Sequence, residues 1–342
     1  MGSKTERVDI IQALRFVAAL LVVCFHLPYG RDALVLKDLF GWGGFGVDLF
    51  FVISGFIITY TSMNRSSFDT FDFLRDRADR IYPVLWVTLI MTIAISMTQS
   101  AAGIANDTAE KLTGIGYLSS FFLLPLPYQI MPVAWTLAIE LMFYGLFAIA
   151  YKRGGLKAVS IGLLGWYACS FFYAKSGLMI SNPNFWVAFH TICLEFLFGL
   201  LIAVAFVRGK LRYGVLALVL GLGSVSILLF VFGNLGFERI GREFSQGIPA
   251  ALIIWGCVAL RPRTPAWLML GGEASYSLYL THTLTIAVCA KLFPAILGVQ
   301  TTSSMSVQIG VVVVCILVSI GFLMVVERPL RGILKPRKTQ AI

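Results

Sequence analysis

Apolar stretches of about 20 residues recur along almost the whole chain, and each is long enough to cross a bilayer as a helix. Hydrophobic residues make up 58% of the 342 residues and charged residues only 13%, whereas about 25% of a soluble domain is charged. The chain is therefore predicted to be an all-α integral membrane protein with a single transmembrane domain over residues 1–342. About ten transmembrane helices are expected, at 9–28, 46–62, 82–100, 132–151, 157–174, 186–207, 212–232, 247–260, 275–297 and 305–326.

The distribution of Lys and Arg predicts how this bundle is oriented. With ten spans and a cytoplasmic N-terminus, nineteen basic residues fall in inner segments and seven in outer ones. An additional span at 115–127 would invert every downstream loop and place thirteen of the downstream cations outside against four inside. We therefore expect both termini in the cytoplasm and interpret 115–127 as re-entrant or interfacial. The net charge of +10 comes from these short loops, so no nucleic-acid partner is expected.

Two polar side chains, Arg15 and His26, interrupt the first apolar span. The eleven-residue separation returns them to nearly the same helix face, about 16 Å apart along the axis. A cation in hydrocarbon costs at least about 2.5–3.5 kcal/mol on insertion scales, so it usually marks a polar interior or pathway. A histidine adds a group that exchanges protons near neutral pH. This face is interpreted as the wall of a site inside the membrane.

Four carboxylates also fall within predicted spans. Asp48 begins the second span at a depth similar to that of His26, and Glu140 lies in the outer half of the fourth. Glu195 is near the middle of the sixth span, and Glu327 is at the inner end of the tenth. Structural ion pairing is a serious alternative for Asp48 and Glu327. It is a weaker one for Glu140 and Glu195, because no cation is close to them in sequence.

Arg77 and Arg80 precede the third span on its cytoplasmic side and, three residues apart, share one helix face. Two guanidinium groups in this arrangement can clasp a phosphate or pyrophosphate. The alternative is ordinary inner-side charge, balanced locally by Asp76 and Asp79. The sequence contains no HExxH, Walker or GxSxG motif, and no metal is expected. His190 and His282 are interpreted as interhelical hydrogen-bonding groups.

Five segments in order along the chain resemble the membrane acyltransferase-3 family, whose polysaccharide O-acetyltransferases modify cell-surface sugars. They are Arg15 with ten residues before His26, Gly46–Phe56, Arg77-x-x-Arg80 before Pro83, Trp135–Tyr144, and Ser275–His282 followed by Glu327-Arg328-Pro329. Larger family members also carry a C-terminal SGNH-type domain, which this chain is expected to lack.

The resemblance implies an acyl-CoA donor, with acetyl-CoA favoured over succinyl-CoA, and a glycan hydroxyl as the acceptor on a polysaccharide or its lipid-linked precursor. It implies that His26 and Arg15 are essential and that Arg77 and Arg80 serve the donor. It also implies a bacterial inner (cytoplasmic) membrane location, contact with membrane lipids, and polysaccharide-assembly proteins as further partners. From their inner position, Arg15 and Glu327 are also assigned to the donor.

The hypothesis is direct acyl transfer, with neutral His26 as general base on the acceptor hydroxyl. Asp48 or Glu140 is expected to orient the imidazole, and Arg15 to stabilise the oxyanion or bind a CoA phosphate. A covalent acyl-histidine is a rival route. A proton-coupled secondary transporter is the competing class of protein, because polar faces inside a bundle also mark such pathways.

Overall fold

All regular elements are helical in the part of the chain that the computed structural model describes, residues 8–27, 41–103, 108–227, 241–298 and 305–334. The longer helices are α1 Asp9–Phe25, α2 Phe45–Met63, α3 Thr70–Ala101, α4 Gly114–Phe122, α5 Ala134–Lys175, α6 Leu194–Val207, α7 Gly214–Ile227, α8 Gly247–Leu260, α9 Ala266–Leu297 and α10 Met305–Phe322. A π-helical turn Leu323–Glu327 leads into α11 Arg328–Leu334. Single turns lie at Gly41–Gly44, Ala109–Lys111, Leu178–Ser181, Pro183–Phe185, Thr191–Cys193 and Arg242–Ser245.

Within the described residues, five helical stretches are long and apolar enough to cross a membrane. They are Phe45–Met63, Thr70–Ala101, Ala134–Lys175, Arg242–Leu260 and Met305–Leu334. This confirms the predicted all-α membrane fold. The count of ten spans and the cytoplasmic position of both termini stay predictions. The ends of two predicted spans, at 28 and at 228–232, lie outside the described residues.

Helix α5 contains both the fourth and the fifth predicted spans, and it is kinked between them. Gly155 has φ 61° and ψ −154°, a backbone conformation open to glycine and strained for other residues. A Cβ atom on Gly162 would lie 3.2 Å from Leu146 Cδ2, although a straight helix would separate the two residues by about 24 Å. The two halves of α5 therefore fold back on each other, as the predicted turn at residues 152–157 requires.

The apolar segment 115–127 forms only a nine-residue helix, α4, which Leu123 ends in the left-handed conformation. Such a helix is about 14 Å long and too short to cross a bilayer. It is attached to α3, where the Tyr82 hydroxyl donates to the Phe122 carbonyl at 3.2 Å and the Trp86 indole donates to the Phe121 carbonyl at 3.0 Å. The interpretation of 115–127 as a non-spanning segment agrees with this geometry.

Helix α1 is central in the bundle because glycines bring its neighbours into backbone contact. A Cβ on Gly46 of α2 would lie 2.2 Å from the Ala18 carbonyl oxygen, and one on Gly272 of α9 would lie 2.3 Å from that of Gln12. Small residues allow this approach between membrane helices, where dispersion contacts replace the hydrophobic effect as the source of association. Helices α2 and α9 thus pack directly against α1, and Arg15 and His26 are both half-buried.

Candidate active site

A cavity of about 770 Å³, including its open mouth, lies among α1, α2, α3, α5 and α9. Its charged lining consists of Arg15, Arg77, Arg80 and Glu140, and most of its remaining surface is apolar or aromatic. Three cations against one carboxylate leave the lining with a positive formal charge. An enclosed cationic pocket of this kind favours an anionic ligand.

Glu140 faces this cavity together with the arginines. One carboxylate oxygen, Oε1, accepts hydrogen bonds from the Ser54 hydroxyl at 2.6 Å and the Tyr144 hydroxyl at 2.5 Å. The structure therefore groups Glu140 with Arg15, Arg77 and Arg80 rather than with His26, and its depth in the outer half of its span stays a prediction. Helix α5 begins at Ala134, so Glu140 lies about 9 Å along it, at the depth where α2 and α3 bring Ser54 and the arginines to the same cavity.

Arg77 and Arg80 also line a second cavity, of about 600 Å³, with Asp76, Asp79 and Arg331. The two arginines are inside helix α3, so the prediction that they share one face is confirmed. The Arg77 guanidinium lies 5.5 Å from the centre of the Phe73 ring, and its buried Nε has no hydrogen-bond partner among the described residues. The arginine pair thus lines both cavities.

Glu327 is fully buried and lines neither cavity. Its carboxylate accepts hydrogen bonds from the Ser277 hydroxyl and from the Arg331 guanidinium. The prediction that Glu327 contacts the donor is corrected by this geometry, because both oxygens are occupied within the protein. Its effect on the second cavity passes through Arg331, which sequence reasoning counted only as inner-side charge.

Asp48 is fully buried and is bound by Arg242. The guanidinium donates to both carboxylate oxygens, from Nε at 3.0 Å and from Nη2 at 2.9 Å, and Nη2 also donates to the Gly44 carbonyl at 2.9 Å. This bidentate pair satisfies the buried charge. It joins residues 194 positions apart in the sequence, so no local pattern could have revealed Arg242 as the partner.

His26 is the C-cap residue of α1, and among the described residues its side-chain hydrogen-bond partner is His282 of α9. The two rings have centroids 5.0 Å apart, and His26 Nδ1 lies 3.3 Å from His282 Nε2 and 2.8 Å from the Val22 carbonyl oxygen. The expectation that Asp48 or Glu140 orients His26 is therefore wrong. Asp48 is held by Arg242, and Glu140 is held at the cavity. The interpretation of His282 as an interhelical hydrogen-bonding group is confirmed.

Tyr279 stands between the cavity and this histidine pair. It lines the cavity, and its ring centroid lies 5.9 Å from that of His282. Its hydroxyl is fixed by Thr136 Oγ1 at 2.7 Å and donates to the Val133 carbonyl at 3.2 Å. The rings of His282 and Tyr279 thus lie between the His26 imidazole and the cavity. Arg15, on the same helix as His26, lines the cavity directly.

No three His, Cys, Asp or Glu side chains in the described ranges lie close enough to share a metal ion. His190, the third histidine, accepts a hydrogen bond at Nδ1 from the Ile192 backbone at 3.2 Å. Its ring also stacks on Trp135, with a centroid distance of 5.3 Å. These contacts give His190 a structural role near the start of α6.

A family model described as an acyltransferase domain matches residues 8–324, which is nearly the entire chain. The chain belongs to the acyltransferase-3 family. It is 32% identical to the exopolysaccharide production protein ExoZ of Rhizobium meliloti over 310 residues, covering 84% of this chain and 89% of the relative. Family membership makes this membrane protein an acyltransferase.

Two further relatives extend this similarity. The acyltransferase MdmB of Streptomyces mycarofaciens is 24% identical over 383 residues, covering 100% of this chain and 96% of the relative. A Staphylococcus aureus protein named for O-acetyltransferase activity is 26% identical over 332 residues, covering 83% of this chain but 51% of its own length. No solved structure matches the chain.

Proposed function

We propose that this protein transfers an acetyl group from cytoplasmic acetyl-CoA to a hydroxyl of a cell-surface polysaccharide or its lipid-linked precursor. The observation that carries the proposal is the shared lining of the two cavities by Arg77 and Arg80. The names of the relatives, exopolysaccharide production and O-acetyl transfer, support a glycan acceptor and an acetyl donor. A bacterial inner membrane gives access to both substrates.

The donor's phosphates would bind in the second cavity, which we call the arginine mouth. Arg77, Arg80 and Arg331 present three guanidinium groups there, and such groups form charge-assisted, bidentate hydrogen bonds with phosphate oxygens. Glu327 holds Arg331 in place through a buried carboxylate. The pantetheine arm would then extend past Arg15 and Glu140, along the apolar wall of the interior cavity.

Acyl transfer needs a group that accepts the hydroxyl proton of the acceptor. In the proposed step, His26 takes this proton while the hydroxyl oxygen attacks the thioester carbonyl carbon. The new C–O bond forms, the C–S bond breaks, and the CoA thiolate takes the proton from His26. Arg15 lies about 16 Å from His26 along α1, so we assign it to the CoA end of the donor rather than to the oxyanion.

The test uses membranes that contain the full chain, supplied with acetyl-labelled acetyl-CoA on the cytoplasmic side. Label is expected in the glycan fraction, and His26→Ala should abolish it while the binding of acetyl-CoA persists. Cys24→Ala, on the same turn of α1, is the matched control and should label normally. Full labelling by the His26→Ala variant would refute the role of His26 as base, and absence of label with every variant would refute acetyl transfer.

A further inference from the structure

The pair formed by His26 and His282 joins two helices at the outer end of α1. His26 ends α1, and His282 lies within α9 with its side chain fully buried. Besides His26, the described neighbours of the His282 ring include the backbone of Leu278 and of Tyr279 and the Tyr279 ring. The described hydrogen-bond partners of these two imidazoles include no carboxylate.

Backbone carbonyls assign the protons of both rings. Nδ1 of His26 faces the Val22 carbonyl oxygen at 2.8 Å, and Nδ1 of His282 faces the Leu278 carbonyl oxygen at 3.2 Å. A carbonyl oxygen only accepts hydrogen bonds, so each neutral ring carries its proton on Nδ1. Nε2 of His282 is then an acceptor, and it lies 3.3 Å from Nδ1 of His26.

This arrangement leaves Nε2 of His26 as an unprotonated nitrogen. A general base requires such a lone pair, aimed at the proton it removes. The Val22 carbonyl belongs to the same helix as His26, so it fixes the proton on the ring without tying the ring to the rest of the bundle. Among the described hydrogen bonds, the contact from His282 is the one that ties the His26 ring to another helix.

We infer that His282 is the positioning residue for His26, in the place that a carboxylate occupies in a catalytic triad. This inference rests on the proposed role of His26 as general base. When His26 accepts the proton of the acceptor hydroxyl at Nε2, its ring becomes positively charged and its Nδ1–H becomes a stronger donor. The lone pair on Nε2 of His282 accepts from that group, stabilises the imidazolium and keeps the ring aimed.

The kinetic test compares three variants of the full chain in nanodiscs, with acetyl-CoA as donor and octyl glucoside as the sugar-hydroxyl probe. His282→Leu should lower kcat by about 10- to 100-fold, the range for removal of a partner that orients a functional histidine. KM for acetyl-CoA should stay within about twofold, because the donor arginines are untouched. His282→Gln should recover most of the loss, since its amide oxygen can reach the position of Nε2 and accept.

Thr285→Val is the matched control, because the described hydrogen bond of the Thr285 hydroxyl goes to the Thr281 carbonyl of its own helix, at 2.9 Å. Its kcat should equal that of the unmodified chain. The inference is contradicted if His282→Leu keeps kcat within about twofold of the unmodified chain. It is also contradicted if the kcat of His282→Gln is as low as that of His282→Leu while both variants bind acetyl-CoA normally.

A spectroscopic measurement tests the same pair without turnover. The chain has three histidines, so ¹⁵N-histidine labelling gives few ring signals, and the His190→Gln and His282→Gln variants assign them. We expect a protonated Nδ1 and an unprotonated Nε2 on His26, with a correlation between His26 Nδ1 and His282 Nε2. A proton on Nε2 of His26 would overturn the inference. Turnover by His26→Ala would instead refute the proposed role of His26 as base, whatever the ring protonation seen in the spectrum of the unmodified chain.

Discussion

At the scale of single residues, the candidate site divides its charged groups into those that face a cavity and those that hold another side chain. Arg15, Arg77, Arg80 and Glu140 line the interior cavity. Asp48 and Glu327 are fully buried and bind an arginine each. This division determines which substitutions should affect the binding of the donor and which should act through a neighbour.

Replacing both Arg77 and Arg80 with Ala should raise KM for acetyl-CoA by about 10- to 100-fold, since a hydrogen bond to a charged group contributes about 1.5–3 kcal/mol. The value of kcat should change little, because these contacts are made equally in the ground state and the transition state. Steady-state kinetics and a direct binding assay measure both quantities.

Arg75→Ala is the control for that double variant. Its side chain is 65% exposed, pairs with Asp79 at 3.8 Å and lines neither cavity. The control should keep the normal KM. Unchanged affinity for acetyl-CoA in the double variant would show that the arginine pair is ordinary inner-side charge.

Glu327→Gln should raise KM for acetyl-CoA by about 3- to 10-fold, because the Arg331 guanidinium loses its ionic partner and its fixed position. The amide oxygen still accepts from Ser277, so the fold should survive. Glu273→Gln breaks a comparable ion pair, to Arg328 at 2.7 Å, away from both cavities. Equal KM values in the two variants would contradict the role assigned to Glu327.

At the scale of helices, small residues decide how closely the elements that carry the site approach each other. Gly55 of α2 and Gly199 of α6 face each other's backbone, and a Cβ on Gly199 would lie 2.0 Å from the Val52 carbonyl oxygen. A backbone atom cannot rotate away as a flexible side chain can. The position of Ser54 at the cavity therefore depends on this crossing.

Gly199→Ala should destabilise the protein by about 1–3 kcal/mol, the usual cost of overpacking a tight contact. Gly165→Ala makes the same chemical change in α5, where a Cβ meets nothing within 4 Å. It should be neutral or stabilise by about 0.5–1 kcal/mol, as alanine does within a helix. Thermal unfolding in detergent measures the stability of both variants. Equal unfolding midpoints would show that the α2–α6 crossing accommodates the added methyl group without loss of stability.

The elements were largely predictable from the sequence, whereas contacts between distant elements were not. Apolar length indicated the helices, and the kink at Gly154–Gly155 lies in the gap between the spans predicted at 132–151 and 157–174. The pairing of Asp48 with Arg242 depends on the packing of α2 against the segment before α8. Hydrophobic patterning carries no information about which polar partner lies across such an interface, so Arg242 was missed and Asp48 was misassigned to His26.

His282 was predicted to form an interhelical hydrogen bond, but its partner, His26, was not predicted. Its contact with His26 follows from the close approach of α1 and α9 at Gly272, which lies about 15 Å from His282 along α9. The sequence contains Gly272 and His282 but does not show which helix they face. The packed structure shows that both contact α1.

At the scale of the whole molecule, the bundle places anion-binding arginines at one end of α1 and an imidazole pair at the other. If the predicted orientation is right, the arginine mouth faces the cytoplasm, where acyl-CoA is made. The second half of α5, from Lys157 to Lys175, offers a direct test of that orientation, because its two ends are predicted to lie on opposite sides of the membrane.

Cysteine placed at Arg153 should react with a membrane-impermeant thiol reagent only after the membrane is permeabilised, and cysteine placed at Lys175 should react in intact cells. The unmodified chain is the control for reactivity of its own cysteines, several of which are buried. The reaction is measured in intact and in permeabilised cells as the shift of the labelled protein on a gel. The reverse pattern would invert the predicted topology.

The arginine mouth has a consequence for how the enzyme would respond to the state of the cell. Under the proposed function, the free CoA that leaves after transfer still carries every phosphate of acetyl-CoA. Arg77, Arg80 and Arg331 would therefore bind acetyl-CoA and CoA equally well. Free CoA should therefore compete with its acetylated form for the same site. The rate of glycan modification would then follow the ratio of acetyl-CoA to CoA rather than the amount of donor, and would couple the decoration of the cell surface to carbon metabolism.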